Sequence, residues 1–401
     1  MKLLKYYNNI ILLLVIIVGS YIGSKIEYKN TVEIFLTISH IIREILTFVL
    51  PFIIFSFLFQ SVIKIGQGKS IVFLSTLITM VCLSNLTSNW FAYLVGFFTP
   101  SSSLIESSSS TLEINPLFSI KIGVLFSNDK AIIAAIVLGL ASNFIAYKRA
   151  QVNIMANKLE YGAKFFLNKI FIPILPIFIL GYISKAAYEG SIVRVIKDNY
   201  LLFYAMFASC IGYTIIVLTI AHITKIINIK RFIASILQPC ITAITTMSSL
   251  AALPLSIKAT SNNIKGKNIA TSVLPITTNI HLLGDSICIP IMAFIILKSY
   301  GLGFPSIADY VIFSFFFVVY KFAVAAVPGG GIIVMIPVLE KYLGFNAEMS
   351  AIITTFYILF DFFGTTMNVL GNNIFIISFN KLFLYVEKIL NLKEKKVRTT
   401  N

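Results

Sequence analysis

The sequence predicts an all-α integral membrane protein, on three observations: its composition, the length of its apolar runs and the placement of its cations. Hydrophobic residues fill 58% of the 401 positions and charged residues 12%, against about 25% charged in a soluble globular chain. With half the usual charge the chain cannot cover its own surface with polar groups, so lipid is the expected solvent. Apolar runs near the roughly 20 residues that a spanning helix needs recur from Asn9 to Leu384. The formal charge of +16 invites a nucleic-acid reading, but Lys and Arg sit in short loops between apolar runs and form no single basic face. That is the pattern of cytoplasmic loops, and no nucleic acid is expected as a partner.

Taken in order, the first spans read as 8–25, 42–64 and 70–97. Lys2 and Lys5 ahead of the first run mimic a signal peptide, but no small-residue cleavage site follows, so an uncleaved span is expected. Segment 98–120 is Ser-rich and carries no Lys or Arg before Ile120, which assigns it to the outside. Helical runs follow near 128–147, 163–188 and 196–224. The loops with Lys64 and Lys69, with Lys148 and Arg149, and with Lys225, Lys230 and Arg231 are basic and belong inside. So does the tail 385–401, with Lys393, Lys395, Lys396 and Arg398. The expectation is a multi-pass protein of the cell (inner) membrane with both termini cytoplasmic. Cys82, Cys210, Cys240 and Cys288 each lie alone in an apolar segment, a spacing that suggests neither a disulfide framework nor a metal site.

Two later segments are apolar but interrupted. Segment 232–259 has two short arms joined by Thr245-Thr246-Met247-Ser248-Ser249 and closed by Pro254. Segment 308–344 repeats the form around Val327-Pro328-Gly329-Gly330-Gly331. Neither arm of either segment is long enough to cross alone. Non-helical backbone at membrane depth is tolerated only where protein or a water-filled cavity receives its peptide groups. Paired interruptions of this kind point to a transporter's binding site; kinks in two full-length helices are the plainer alternative.

Polar residues inside the apolar part sharpen this. Asp361 lies in FYILFDFFGTTMNVLGNNIFIISF with no basic residue nearby, and Thr365, Asn368 and Asn372 follow it on the same helical face. A carboxylate at the bilayer centre costs about 2.5–3.5 kcal/mol on insertion scales, so it is expected to face a cavity or a partner and to suit an ammonium or a cation. Helix–helix hydrogen bonding explains the Thr and Asn residues well and the Asp poorly. His281 and Asp285, four residues apart, can pair if the segment is helical, and Asp/His chains serve as proton relays. A packing histidine is the alternative. Lys321, seven residues before Pro328, is either a snorkelling lysine or an ammonium tethered inside the site.

From about Leu50 to Leu384 the chain resembles the dicarboxylate/amino acid:cation symporters, the glutamate-transporter-like family. TTMSSLAALPLSIKA resembles the serine-rich tip of that family's first re-entrant hairpin, and SVLPITTNIHLLGD its seventh helix with an unwound centre. AVPGGGIIVMIPVLEKYLGF resembles the second hairpin and gate, and FDFFGTTMNVLGN the substrate-binding eighth helix. The resemblance implies eight transmembrane helices plus two re-entrant helical hairpins, a homotrimer in lipid, and an elevator-type cycle. It implies a scaffold largely of 1–69 and 120–190, and a transport core largely of 70–97 and 195–384. It puts Ser248, Ser249, Val327, Gly331, Asp361, Thr365 and Asn368 on substrate-contacting positions. In amino-acid-transporting relatives the position of Asp361 holds the ammonium and that of Asn368 the α-carboxylate, as carboxylate and amide chemistry would have it.

The chain departs from the family at telling places. Members that carry acidic substrates have an arginine three residues after the aspartate, where this chain has Gly364, and Met247 stands where some members have a hairpin-tip arginine. Without the bidentate carboxylate receptor, and with Asp285 in place of a threonine, a neutral or basic amino acid is expected over glutamate or aspartate. The seventh-helix Asn-Met-Asp-Gly-Thr becomes His281-Leu282-Leu283-Gly284-Asp285, and Asn372 replaces an aspartate of sodium-coupled members. Lys321 falls near backbone that ligates another sodium. Fewer charged oxygens and a fixed ammonium weaken a hard-cation site, so of the cation- or proton-coupling positions His281, Asp285, Lys321 and Asn372, the first two are expected to couple transport to H+ rather than Na+, with loss of coupling a third outcome. No organic cofactor is expected, and no metal beyond sodium. A channel or a transport-dead sensor on the same scaffold is the reading from another class. An intramembrane enzyme would need Ser248 or Ser249 with His281, and no third orienting group is evident.

Overall fold

The computed structural model describes residues 14–15, 17–66, 71–99, 114–123, 125–144, 149–190, 199–264, 267–324 and 329–398. Among these, regular structure is entirely helical. Most of the Ser-rich loop lies outside the described residues, as do Lys2, Lys5, Lys69, Lys148 and the tip residues Val327 and Pro328.

A first group of helices opens with α1 (Lys29–Gly66). Its 38 residues span roughly 57 Å at 1.5 Å per residue, well beyond a hydrocarbon core of about 30 Å. The span expected at 42–64 therefore begins 13 residues earlier, because Lys29–Ile41 continues in helical register without Gly or Pro. α3 (Asn128–Phe144), α4 (Arg149–Phe165) and α5 (Ile172–Tyr188) pack on α1. α4 departs from the sequence expectation of a helical run beginning near 163, since the helix starts at Arg149. Its polar, amphipathic sequence RAQVNIMANKLEYGAKF carries no spanning signal, yet it lies along α1, where Gln60 donates to Asn157 Oδ1 at 2.6 Å. A π-helical turn at Phe166–Phe171 and Pro173 then bend the chain by 54° into α5.

The second group is α2 (Ile71–Phe98), α6 (Tyr200–Ile223) and everything after it. α7 (Ile229–Thr246) and α8 (Ser249–Ser261) fold back on one another, as do α11 (Ile307–Lys321) and α12 (Gly330–Leu343). These arms have 18, 13, 15 and 14 residues, too few to span singly except in the first case. α9 (Lys267–Ile280) and α10 (Leu283–Ser299) form one apolar rod broken at His281-Leu282. Every residue of α10 from Leu283 to Leu297 is buried, between α2, α6 and α13 (Ala347–Arg398). By length and hydropathy Lys29–Ile63, Tyr200–Ile223, Val273–Ser299 and Ala347–Tyr385 can each cross a bilayer, and the bent pair Ala150–Phe171 with Pro173–Tyr188 makes a fifth if it counts as one span.

The two groups meet at ionic contacts. Arg43 on α1 pairs with Glu340 on α12 at 3.0 Å, Lys185 on α5 with Glu348 on α13 at 3.4 Å, and Asp129 on α3 with Lys341 on α12.

Candidate functional site

The candidate site lies where the start of α12 and the start of α10 meet the middle of α13, with the first hairpin packed on α13 through Ala243, Ala252 and Val369. At the first tip Met247 takes a left-handed conformation (φ 48°) and ends α7, while Ser248 turns extended and caps α8, accepting from the Ala251 amide at 3.3 Å. Such a cap satisfies one of the amides left free at a helix start. Ser248 is buried and Ser249 partly so. At the second tip Gly329 (φ 73°) precedes α12, a conformation glycine adopts without Cβ strain.

On α13, Asp361, Thr365, Asn368 and Asn372 are all buried, and the Thr365 hydroxyl donates to Asp361 Oδ1 at 2.7 Å. Asp361 therefore faces the protein interior rather than lipid. Asn368 does something the sequence did not suggest. Its Nδ2 donates to Asp285 Oδ1 at 2.9 Å while its Oδ1 accepts from the Asp285 amide at 3.2 Å. Tyr357 donates to the other carboxylate oxygen, Oδ2, at 3.2 Å. Asp285, on α10, is thus held by two residues of α13, and glycines let the two helices come this close: a Cβ on Gly284 would overlap the Gly364 carbonyl oxygen and lie 2.9 Å from the Met367 Cβ, and one on Gly371 would lie 2.8 Å from the Leu283 Cβ. Gly331 closes the other side. A Cβ on it would stand 2.5 Å from the Tyr357 hydroxyl and 2.7 Å from Asp285 Oδ2. The second hairpin is seated directly on the Tyr357–Asp285 pair.

His281 and Asp285 do not pair, which corrects the relay expected from their spacing. The helix stops at Ile280 and restarts at Leu283, so the i, i+4 geometry never forms. His281 instead stacks on Phe375, centroids 4.2 Å apart, with Nε2 2.8 Å from Ser84 Oγ; its buried Nδ1 has no partner among the described residues. Asn372 turns toward α9, its Nδ2 donating to Thr278 at 3.4 Å. Lys321 points inward: it is 0% exposed, and its Nζ donates to the Leu282 carbonyl at 2.6 Å and to the Ser286 hydroxyl. Asn85 on α2 ties the same break together, Nδ2 donating to the Ile280 carbonyl at 2.7 Å and Oδ1 accepting from the Leu282 amide at 3.3 Å. A cavity of about 140 Å³ lies between the first group of helices and α9, lined by Gln60, Ser61, Glu160 and Lys164 opposite Pro275, Ile276 and Asn279.

Sequence reasoning missed Tyr357, Ser286, Ser84 and Asn85. Tyr357 was findable, lying one turn before Asp361 on the same face. So were Ser84 and Asn85, the start of a polar row with Ser88 and Asn89 inside an otherwise apolar helix.

A model of the sodium:dicarboxylate symporter family matches residues 9–382. The chain is 31% identical over 148 residues to a putative sodium-dependent excitatory amino acid transporter, glt-4, of Caenorhabditis elegans, which is 37% of this chain and 29% of that protein. It is 32% identical over 146 residues to excitatory amino acid transporter 1 of Ambystoma tigrinum, 36% of this chain and 26% of that protein. The matched stretch thus covers less than a third of either relative.

Proposed function

Because the chain belongs to the sodium:dicarboxylate symporter family, we propose that it is a cation-coupled symporter of a neutral or basic amino acid, bound at Asp361 and gated by the second hairpin. The family supports symport of a small solute across a membrane. The substrate preference rests on one observation: a side chain at Gly364 would start 3.6 Å from Asp285 Oδ1. Where acidic-substrate members present an arginine, this site presents a carboxylate. Two acids, Asp285 and Asp361, then act on the solute. One suits its α-ammonium and the other a hydroxyl, amide or cationic side chain, while an acidic side chain would be repelled.

Ser248 and Ser249 at the first tip, and Val327 and Gly331 at the second, would contact the solute beside Thr365 and Asn368. The backbone N–H groups of Ser249 and Gly331, in the first turns of α8 and α12, lack helical partners and can approach the solute's carboxylate. Solute and cation must bind the outward and inward states with different affinity for coupling to arise. The closed seat of Gly331 on Tyr357 and Asp285 gives the second hairpin a defined resting position from which to open. The α1, α3–α5 group would act as scaffold and the remainder as the sliding core of a homotrimer. The Arg43–Glu340, Lys185–Glu348 and Asp129–Lys341 contacts would then break in each cycle.

H+ is the coupling ion we favour. The buried acids and His281 are groups able to carry a proton, and the donor set of the break has lost the charged oxygens a hard cation needs. The family's description and the name of the nematode relative favour Na+, so the two are tested together. Purified protein is screened by thermal shift against neutral, basic and acidic amino acids, and the stabilising solute is followed into proteoliposomes. Uptake under a pH gradient without sodium is expected, and none under a sodium gradient with equal, clamped pH. Sodium-driven uptake at clamped pH would overturn proton coupling, and strong competition by glutamate would overturn the substrate class. Solute-independent conductance would identify a channel instead, and binding without flux a sensor.

A further inference from the structure

An interrupted apolar helix presents carbonyl oxygens that can receive a cation, and here the Leu282 carbonyl, which also accepts the Ser286 amide at 3.0 Å, receives one from the chain itself. The Leu282 carbonyl at the start of α10 receives Lys321 Nζ at 2.6 Å, and the Ser286 hydroxyl receives the same ammonium. Lys321 is the last residue of α11, so the charge comes from the first arm of the second hairpin. The Phe317 ring lies one turn back with its centroid 5.0 Å from Nζ, a cation–π arrangement that covers the ammonium on its apolar side. Asp285, next to Ser286 on α10, has its carboxylate held by Asn368 and Tyr357. Asn85 binds the Ile280 carbonyl, the Leu282 amide and the Ser286 hydroxyl, at 2.7, 3.3 and 3.4 Å, and so fixes the acceptors in place before any ion arrives. Both hydrogen-bond acceptors of the ammonium are buried, Ser286 at 0% and Leu282 at 4% exposed. This is a built cation site whose occupant is covalent.

We propose that the ammonium of Lys321 replaces a monovalent metal ion at the α9–α10 break, so that this position takes no sodium and the second hairpin is docked on the core by its own charge. The inference rests on the symporter reading for its meaning in the cycle but not for its test. A lysine cannot be exchanged with solution, so the break is held closed at all sodium concentrations. Removing the side chain should open a space lined by the same oxygens, with a size and charge that fit a small cation.

The test uses the full-length purified protein, with sodium chloride exchanged for choline chloride at constant ionic strength. The parent should melt at the same temperature in both salts. Lys321→Ala should melt lower in choline, recover by at least ~2 °C as sodium is raised, saturably, and bind one more radioactive sodium ion per chain than the parent. Lys321→Met fills the space without charge and should melt lower and stay low in sodium. Saturable sodium stabilisation of the parent, or a folded Lys321→Ala protein indifferent to sodium, lithium and potassium, would overturn the proposal. So would failure of Lys321→Ala to fold in either salt while Lys321→Met folds. Should neither variant fold, saturable sodium binding by the parent overturns it and the absence of such binding supports it. Because the readout needs neither solute nor flux, failure here leaves the symporter reading standing.

Discussion

Gly331→Ala should damage solute binding far more than folding, and the structure supplies the size of the effect. The added Cβ would stand 2.5 Å from the Tyr357 hydroxyl and 2.7 Å from Asp285 Oδ2, overlaps of about 0.9 and 0.7 Å against an ordinary contact near 3.4 Å. Two groups can give way. If the tyrosine moves, its 3.2 Å bond to Asp285 is lost, and a hydrogen bond to a charged group is worth about 1.5–3 kcal/mol. If α12 moves instead, Gly329 at φ 73° lets it retreat with little strain, and the gate no longer seats. Either route weakens binding by roughly 10- to 150-fold while the packed helices below stay in place, so Tm should fall by no more than about 3 °C. The assay is titration of the solute identified by thermal shift, with Tm measured on the same samples. Tyr357→Phe removes the nearer obstruction, so the double variant should lose less than the sum of the singles. Unchanged affinity in Gly331→Ala would refute the reasoning. So would additivity within about 0.5 kcal/mol.

Three further predictions follow from the same contacts. Asn368→Leu strips Asp285 of two bonds inside the protein, and should cost about 2–3 kcal/mol of stability, read by denaturant or thermal unfolding; an unchanged Tm would mean that the carboxylate has other support. Asp361→Asn keeps a partner for Thr365 but removes the charge, so solute affinity should fall at least ~10-fold with Tm little altered, as calorimetry would show; retained affinity would remove Asp361 from the site. Glu340→Gln breaks a part-exposed ion pair worth about 0–1 kcal/mol, so Tm should stay within about 2 °C while the uptake rate in proteoliposomes rises; slower uptake would argue that the Arg43 contact guides the motion rather than restraining it.

Much of the architecture was legible because it depends on local chemistry. The tip of the first hairpin is where Thr245 to Ser249 said it would be, since the left-handed Met247 and the capping Ser248 need nothing from elsewhere. The polar stripe of Asp361, Thr365, Asn368 and Asn372 is buried along one helix, as its spacing required. The misreadings were all of partnership. His281 and Asp285 could pair only if a helix ran through them, and the break at Leu282 turns the ring toward Ser84 and the carboxylate toward α13. The helix at Arg149–Phe165 was invisible to a search for apolar runs, because only packing against α1 justifies it.

By itself, then, the amino-acid order determined that the chain is built of apolar helices suited to lipid, where two of its apolar segments are interrupted, and which polar groups must be hidden, because each of these is a property of a segment and of the energy of placing it in hydrocarbon. Which hidden groups meet was left to the tertiary structure. Asp285 found Asn368 and Tyr357, 83 and 72 residues away, and Lys321 found the carbonyl of Leu282, 39 residues back. Charges buried at such separations are satisfied only when whole helices dock, and no window of sequence contains both halves of the contact.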